Sequence, residues 1–351
     1  MVCYTPSLDP VDASRALAGL LKPVLNPDAC AYRIQSLQRM FSAACASCPS
    51  PFAGYGLRLT PEINYQCEHW LPLDVLREHF FAFYRQALNG HPVLTSTPYA
   101  RAASWAAIVS SFPPFLRHVI NPAALLRRLM VDTELRVKFL FWSFLPERFY
   151  GDGSDRYPGQ VARIGAWIRS RELRGRGVRC LDAACGDGAT AYGLARLFME
   201  QGWLPDRFAI EGWTLDPLEV WAAAHGIFPH NPRREASFRA WRAPVFQGVE
   251  HPAMLFRAVD LNALPGDTAS FDLIVCNGLL GGPIINRPEE MQRVVSNLCH
   301  VLAPGGMLLV ADHFHGGWKQ KYPQQSLRVL CEGHGLVAIE AAEGIAVLKP
   351  D

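Results

Sequence analysis

The stretch VRCLDAACGDGATAYGLA, residues 178–195, decides the fold of the region around it. It begins as an apolar run that predicts a strand and ends with the residue spacing of a helix. Asp182 stands at the exit of the strand, and small residues follow it: Ala183, Ala184, Gly186 and Gly188. Glycine accepts unusual backbone angles and lets another molecule approach the backbone closely. The turn is therefore predicted to lie against a ligand.

From residue 160 onward, short apolar runs alternate with segments of helical spacing. The strand-like runs after the first are residues 208–216, 255–261, 271–277 and 305–313. The helical segments are residues 189–202, 217–226 and 289–306. Strands that alternate with helices predict a parallel sheet covered on both faces.

The first part of the chain has a different pattern. Residues 1–150 contain helical segments broken by proline and no alternating strand pattern. The stretch FYGDGSDRYPGQ, residues 149–160, has the composition of a loop. We therefore predict an all-α domain over residues 1–150, followed over residues 151–351 by an α/β domain with a doubly wound, Rossmann-like sheet.

The turn after Asp182 departs from two common phosphate-binding patterns. It has neither the G-x-G-x-x-G of dinucleotide enzymes nor the Gly-Lys-Ser/Thr of a P-loop. Asp187 would also put a negative charge where a phosphate should bind. A ligand without phosphates and with an ammonium group suits Asp182 and Asp187 better, and S-adenosylmethionine (SAM) is such a ligand. The N–H groups at the start of the following helix would face it.

Polar residues also end the other strand-like runs. The second run ends at Asp216, next to Pro217, where a carboxylate can accept hydrogen bonds from both ribose hydroxyls. The third ends at Asp260 and Leu261, which would receive the edge and face of an adenine. The fourth ends at Asn277. Ligands of doubly wound sheets bind beyond the carboxyl ends of the strands, so we predict that these residues share one site with the turn.

These motifs resemble the class I SAM-dependent methyltransferases, and among them the chemotaxis-receptor methyltransferases, over residues 145–318. Ala183, Ala184 and Cys185 match the small residues of that family's first turn. The stretches LDPLEVWAAAHGIF, FDLIVCNGLL and HVLAPGGMLLVADHF are similar to its later motifs. The resemblance implies an enzyme that binds SAM and transfers a methyl group.

The chain departs from the receptor enzymes on the side of the methyl acceptor. Ala189 and Thr190 stand where those enzymes have glutamates, and Asn277-Gly278 replaces an Arg-Asn pair. No Asn-Pro-Pro-aromatic segment, typical of enzymes that methylate poorly nucleophilic nitrogens, follows the fourth run. We therefore expect an oxygen acceptor, a carboxylate before a hydroxyl, because a carboxylate with a reference pKa of ~4 is already ionised. Two alternatives stay open: a biosynthetic small-molecule methyltransferase and a non-catalytic SAM-fold binding module.

Composition limits the partners. The chain has 34 Lys and Arg against 32 Asp and Glu, a net charge of +2 that does not predict nucleic-acid binding. The first residues lack the pattern of a secretory signal, and no apolar run approaches the ~20 residues of a membrane span. We therefore expect a cytoplasmic protein whose partner is a methyl-acceptor protein or small molecule. The helical domain would select that acceptor or cover the site.

Cysteines of the first domain include a C-x-x-C. Cys45 and Cys48 form it, with Cys30 and Cys67 in the same region. A structural zinc site of four cysteines commonly has a second C-x-x-C, which is missing here. We predict incidental or buried thiols and no metal.

Polar residues in two loops are further candidates. Asp312, His313 and His315 follow the fifth run and could act as acid–base groups or orient the acceptor. Tyr150 and Arg156 precede the α/β domain, where the related enzymes cover SAM. Loop residues of these types are also common without any role in catalysis.

Overall fold

A computed structural model of the 351-residue chain describes residues 2–26, 28–48, 51, 53–145, 157–172, 177–248, 250–264, 270–282, 284–311 and 322–351. The chain divides into two compact units. The sheet unit comprises Met1–Asp9, Tyr150–Ile227 and Arg233–Asp351, and the helical unit comprises Pro10–Phe149 and Phe228–Pro232. Within the described ranges, no helix combines the length and the apolar character needed to cross a membrane.

The described residues of the helical unit are mainly α-helical. Its helices are α1 (Pro10–Leu20), α2 (Asp28–Ser47), α3 (Pro61–Trp70), α4 (Leu73–Ala87), α5 (Pro98–Arg101), α6 (Trp105–Ser110), α7 (Pro122–Val131) and α8 (Thr133–Phe144). Asn121 and Asp132 cap α7 and α8 by accepting hydrogen bonds from backbone N–H groups of the first turn. In the core, the ring of Tyr84 stacks on that of Phe139 and its hydroxyl donates to Ser143 Oγ at 2.9 Å.

The sheet unit alternates strands and helices. Its strands are β1 (Cys3–Tyr4), β2 (Val178–Asp182), β3 (Phe208–Thr214), β4 (Ala253–Ala258), β5 (Phe271–Asn277), β6 (Leu302–Ala311), β7 (Val337–Ile339) and β8 (Ile345–Leu348). Its helices are α9 (Pro158–Glu172), α10 (Ala189–Glu200), α11 (Pro217–His225), α12 (Pro232–Arg242), α13 (Pro288–Val301) and α14 (Gln324–Gly333).

The strands form one sheet in the order β1-β4-β3-β2-β5-β6-β8-β7. The strands β2 to β6 are parallel to one another, whereas β1 and β8 run antiparallel to their neighbours. The chain runs outward from β2 through β3 to β4, then returns to β5 on the other side. Right-handed connections therefore place α10 and α11 on one face and α13 on the other. This is the predicted doubly wound α/β sheet, with its switch point between β2 and β5.

The first residues of the chain differ from the sequence-based expectation of helices alone over residues 1–150. Cys3 and Tyr4 pair with Arg257 and Phe256 and so add an antiparallel strand to the edge of the sheet. A strand of two residues is too short to show any periodicity in the sequence. It pairs with the backbone of β4, which would otherwise stand unpaired at the sheet edge.

Candidate functional site

The turn after β2 is anchored to both neighbouring strands. Asp182, the last residue of β2, is in register with Gly212 of β3 and Val275 of β5. Beyond it, the Ala183 N–H donates to the Val275 carbonyl at 2.8 Å, and the Cys185 N–H donates to the Trp213 carbonyl at 2.9 Å. The turn is thus held rigidly at the switch point of the sheet.

The two glycines of the turn adopt left-handed backbone angles, with φ 51° at Gly186 and 84° at Gly188. Gly188 is also close-packed, since a Cβ there would lie 2.9 Å from Phe256 Cε1 and 3.0 Å from Ala223 Cβ. Helix α10 begins too close to the side chains of α11 and β4 to carry a side chain at position 188, so packing by itself requires glycine here. The approach of a ligand to Gly186 and Gly188 stays a prediction.

Asp182 is buried in the centre of the site with one oxygen unsatisfied. Its side chain is 2% exposed, and Oδ2 has no hydrogen-bond partner. Burial, reinforced by the nearby charge of Asp187, raises the pKa of Asp182 to about 8. A buried acceptor without a partner is unfavourable, so this atom is suited to a donor supplied by a ligand.

Asp216 has the same property at the end of β3. Its Oδ1 accepts from the Leu218 N–H at 2.8 Å, which makes it the N-cap of α11, with Pro217 as the first helical residue. Its Oδ2 is buried and has no partner. Burial raises the pKa of Asp216 to about 7. One oxygen therefore fixes the helix while the other is left for a ligand.

Asp187, by contrast, is satisfied within the protein. Its Oδ2 accepts a hydrogen bond from Arg234 Nη2 of α12, and its Oδ1 accepts from the Ala189 N–H at 3.2 Å. Glu219 of α11 interacts electrostatically with the same guanidinium and accepts a hydrogen bond from Thr214 Oγ1. Burial raises the pKa of Glu219 to about 8, and Arg234 opposes that rise. Sequence reasoning missed Arg234 and Glu219, because neither belongs to a strand end or a recognisable motif.

The residues after β4 point in two directions. Asp260 is exposed and its Oδ1 accepts from the Asn262 N–H at 2.8 Å, a local turn. Leu261 is buried in the apolar core together with Val294 and Leu298 of α13. Contact of Asp260 and Leu261 with an adenine stays a prediction.

Asn277, at the end of β5, makes three hydrogen bonds within the protein. Its Oδ1 accepts from the Ala311 N–H at 2.9 Å and from Gln160 Nε2 at 3.2 Å, and its Nδ2 donates to Gln160 Oε1 at 2.8 Å. Gln160 lies in the first turn of α9, where Glu343 Oε2 accepts from the Gly159 N–H at 2.7 Å. Asn277 therefore connects α9 to the sheet. The sequence predicted that it contacts the cofactor, and that contact stays a prediction.

Several candidates lie outside the described residues: Tyr150, Arg156, Asp312, His313 and His315.

In the helical unit, the cysteines have separate surroundings. Cys30 Sγ donates to Gln86 Oε1 at 3.1 Å, while Cys67 Sγ accepts from the Ala106 N–H at 3.3 Å. Cys45 is exposed. The part of the chain that the structure describes contains no group of three or more His, Cys, Asp or Glu arranged to hold a metal ion.

Comparison with known proteins finds distant structural likenesses. No family model and no curated protein matches the chain. The N-methyltransferase NodS from Bradyrhizobium japonicum WM9 is 16% identical, covering 56% of this chain and 99% of its own, with a TM-score of 0.34. The magnesium protoporphyrin IX methyltransferase ChlM from Synechocystis PCC 6803, solved with bound SAM, is 17% identical. The match covers 62% of this chain and 98% of ChlM, with a TM-score of 0.37. The [4+2]-cyclase SpnF is 20% identical, and the match covers 61% of this chain and 71% of SpnF, with a TM-score of 0.33.

Proposed function

We propose that the sheet unit binds SAM beyond the ends of β2 and β3 and that the chain is a SAM-dependent methyltransferase. The observation that carries the proposal is a pair of buried carboxylate oxygens without partners, Asp182 Oδ2 and Asp216 Oδ2. Asp182 ends β2 and Asp216 follows β3, its parallel neighbour, at the edge of the sheet where ligands of doubly wound folds bind. The sequence resemblance to class I methyltransferases favours the same ligand.

The chemistry of the two carboxylates fits this ligand. Asp216 would accept hydrogen bonds from the ribose hydroxyls, and Asp182 would pair with the ammonium group. A phosphate-bearing cofactor is disfavoured, because phosphate oxygens accept hydrogen bonds, whereas the partnerless oxygens of Asp182 and Asp216 need donors. SAM carries its methyl group on a positively charged sulfur, and this sulfur is a good leaving group when the methyl group is transferred. The protein then needs mainly to hold the acceptor in line and exclude water.

For the acceptor we propose an oxygen atom, with a carboxylate preferred. The amide of Asn277 is already engaged by Gln160 and Ala311, so it is poorly suited to accept a hydrogen bond from an acceptor nitrogen. The neighbouring Cys276 is buried, and burial raises the pKa of its thiol, which disfavours a thiolate there. A carboxylate acceptor needs no base.

Calorimetry with S-adenosylhomocysteine tests the cofactor assignment. We expect a dissociation constant in the micromolar range, about −8 kcal/mol. No detectable binding would refute the SAM site.

Incubation with tritium-labelled SAM and a cell lysate tests the reaction. We expect label in an acceptor, released as volatile methanol by mild alkali, because carboxyl methyl esters are base-labile. Label that resists alkali would refute the carboxylate, and label found only in small molecules would favour a biosynthetic enzyme. Binding without any transfer would favour a non-catalytic SAM-binding module.

A further inference from the structure

The two partnerless carboxyl groups of the proposed site lie where a negative charge is unfavourable. Asp182 is 2% exposed and Asp216 is 5% exposed, so both groups are almost completely removed from water. An ionised carboxylate is stable in such a position only if hydrogen bonds or a cation replace its lost hydration. Oδ2 of each group has no hydrogen-bond partner, so this replacement is incomplete in the free protein. A buried carboxyl group in this situation keeps a proton instead.

The neighbours of Asp182 do not compensate for a negative charge there. Asp187, in the same turn, brings a second carboxylate close to it, and the titratable thiols near it are Cys185 of the turn and Cys276 of β5. Strand β3 has a glycine at the position in register, and α10 contributes the backbone N–H of Ala191. Burial raises the pKa of both thiols, so they stay neutral, whereas the charge of Asp187 disfavours a second charge at Asp182.

Two further charged groups of this region, Glu219 and Arg234, are engaged by other partners. Glu219, in the first turn of α11, accepts a hydrogen bond from Thr214 Oγ1 and interacts electrostatically with Arg234. Arg234 also forms an ion pair with Asp187. Oδ1 of Asp216 accepts from the backbone at the start of α11, which leaves its Oδ2 without compensation.

The ligand would reverse the balance between the neutral and the charged form of both groups. In the free protein, backbone N–H groups favour the charged form, but burial outweighs them and raises the pKa to about 8 at Asp182 and to about 7 at Asp216. The proposed ligand brings an ammonium group and two ribose hydroxyls to the partnerless oxygens. A cation or a hydrogen-bond donor next to a carboxyl group favours its charged form.

We propose that ligand binding at this site is coupled to proton release: Asp182 and Asp216 hold protons in the free protein and lose them when the ligand binds. The O–H bond of each carboxyl group breaks, the proton passes to a base in the solution, and the carboxylate accepts a hydrogen bond from the ligand. The site therefore binds its ligand more tightly as the pH rises. This inference rests on the proposed SAM site and adds to it a control of affinity by pH.

Calorimetry with S-adenosylhomocysteine in two buffers counts the protons. Phosphate and Tris take up a proton with different enthalpies, so the difference between the binding enthalpies measured at pH 7 gives the number of protons released. We expect about one to two protons for each ligand bound. The affinity should also rise about tenfold or more from pH 6 to pH 8, because at the lower pH the ligand has to displace more protons.

A second ligand and three variants assign the protons to the two groups. 5′-Methylthioadenosine has the ribose but no amino-acid end, so the natural protein should release fewer protons with it than with S-adenosylhomocysteine. Asp216→Asn removes one titrating group and should release fewer protons than the natural protein does. Asp182→Asn gives the same measurement at the other group if the first variant does not bind. Asp206→Asn is the matched control, because Asp206 is an exposed carboxylate just before the opposite end of β3, and it should release as many protons as the natural protein.

Three results would overturn the inference. One is binding with equal enthalpies in the two buffers, and another is an uptake of protons. The third is an unchanged number of released protons in the variants of Asp182 and Asp216, which would mean that the protons come from other groups. If the natural protein binds neither ligand, the SAM site itself is refuted, and this outcome differs from the other three.

Discussion

The strand ends of β2 and β3 differ from the strand end of β5 in how their polar side chains are satisfied. Each of the three has a polar residue at or just beyond the carboxyl end of a parallel strand, and the three strands are consecutive in the sheet. Asp182 and Asp216 each keep one buried oxygen without a partner. Asn277 has its carbonyl oxygen bonded twice and its amide nitrogen bonded once.

The difference separates side chains that are available to a ligand from side chains that stabilise the fold. A polar side chain that is fully bonded within the protein stabilises the fold, and a ligand would have to break those bonds to use it. A buried carboxylate oxygen without a partner is unfavourable in the free protein and gains from a ligand donor. We therefore propose that a ligand binds at the ends of β2 and β3, and that Asn277 mainly anchors α9 at the end of β5.

The largest expected effect is on ligand affinity at Asp216. Asp216→Asn retains an oxygen for the N-cap bond to Leu218 but replaces the partnerless oxygen with an amide that cannot accept. Loss of two charge-assisted bonds to the ribose should weaken S-adenosylhomocysteine binding by about 3 kcal/mol, more than a hundredfold. Calorimetry measures the change. Asn277→Ala serves as the comparison and should leave the affinity nearly unchanged, and a similar loss in both variants would break the distinction between these strand ends.

Substitution of Gly188 tests whether packing within the protein requires a residue without a side chain in this turn. Gly188→Ala should lower the free energy of unfolding by about 2–4 kcal/mol, because it adds a Cβ contact with Phe256 to the strain of a positive φ. Gly202→Ala is a matched control, with φ +83° and nothing within 4 Å of its Cβ, and should lose only about 1–2 kcal/mol. Urea denaturation gives both values, and equal losses would refute the packing argument.

Asn277 is expected to affect the stability of the protein more than its affinity for the ligand. Asn277→Ala leaves Gln160 and the Ala311 N–H without their partner and should lower the free energy of unfolding by about 1–3 kcal/mol. The double variant with Gln160→Ala should lose less than the sum of the single variants, because the two side chains share hydrogen bonds. Additive losses, measured by urea denaturation, would show that the pair is not coupled.

The unsatisfied carboxyl groups should also make the free energy of unfolding of the ligand-free protein depend on pH. The pKa values of Asp182 and Asp216 are raised in the folded state to about 8 and about 7, from an ordinary value of 3.8. Between pH ~4 and the raised pKa values, the folded protein keeps protons that the unfolded chain has lost. The contribution of these two groups to stability is therefore complete below pH ~4 and is lost as the pH rises towards 8. Each group should contribute a fall of up to about 1.4 kcal/mol per pH unit in that window.

Urea denaturation from pH 5 to pH 8 measures this dependence, with Asp182→Asn as the control that removes one titrating group. The variant should show the smaller fall in the free energy of unfolding. Identical slopes for the two proteins would contradict the raised pKa of Asp182.

The sequence by itself determined the class of the sheet and the identity of the residues at its strand ends. Alternating strand and helix segments predict parallel pairing, and parallel pairing brings the carboxyl ends of the strands to one edge. Asp182 and Asp216 could therefore be singled out, because their place depends only on local pattern and on the rule of strand order. Strand β1, with two residues, left no pattern to recognise.

Only the tertiary structure decided which of these polar residues are satisfied. Gln160 meets Asn277 from 117 residues away, and Arg234 reaches Asp187 across 47 residues. Gly188 is small because Phe256 packs against it, which no local pattern reveals. Hydrogen-bond satisfaction and close packing depend on which distant elements share a space, and in this chain they distinguish carboxyl groups with a partnerless oxygen from an amide that is bonded within the protein.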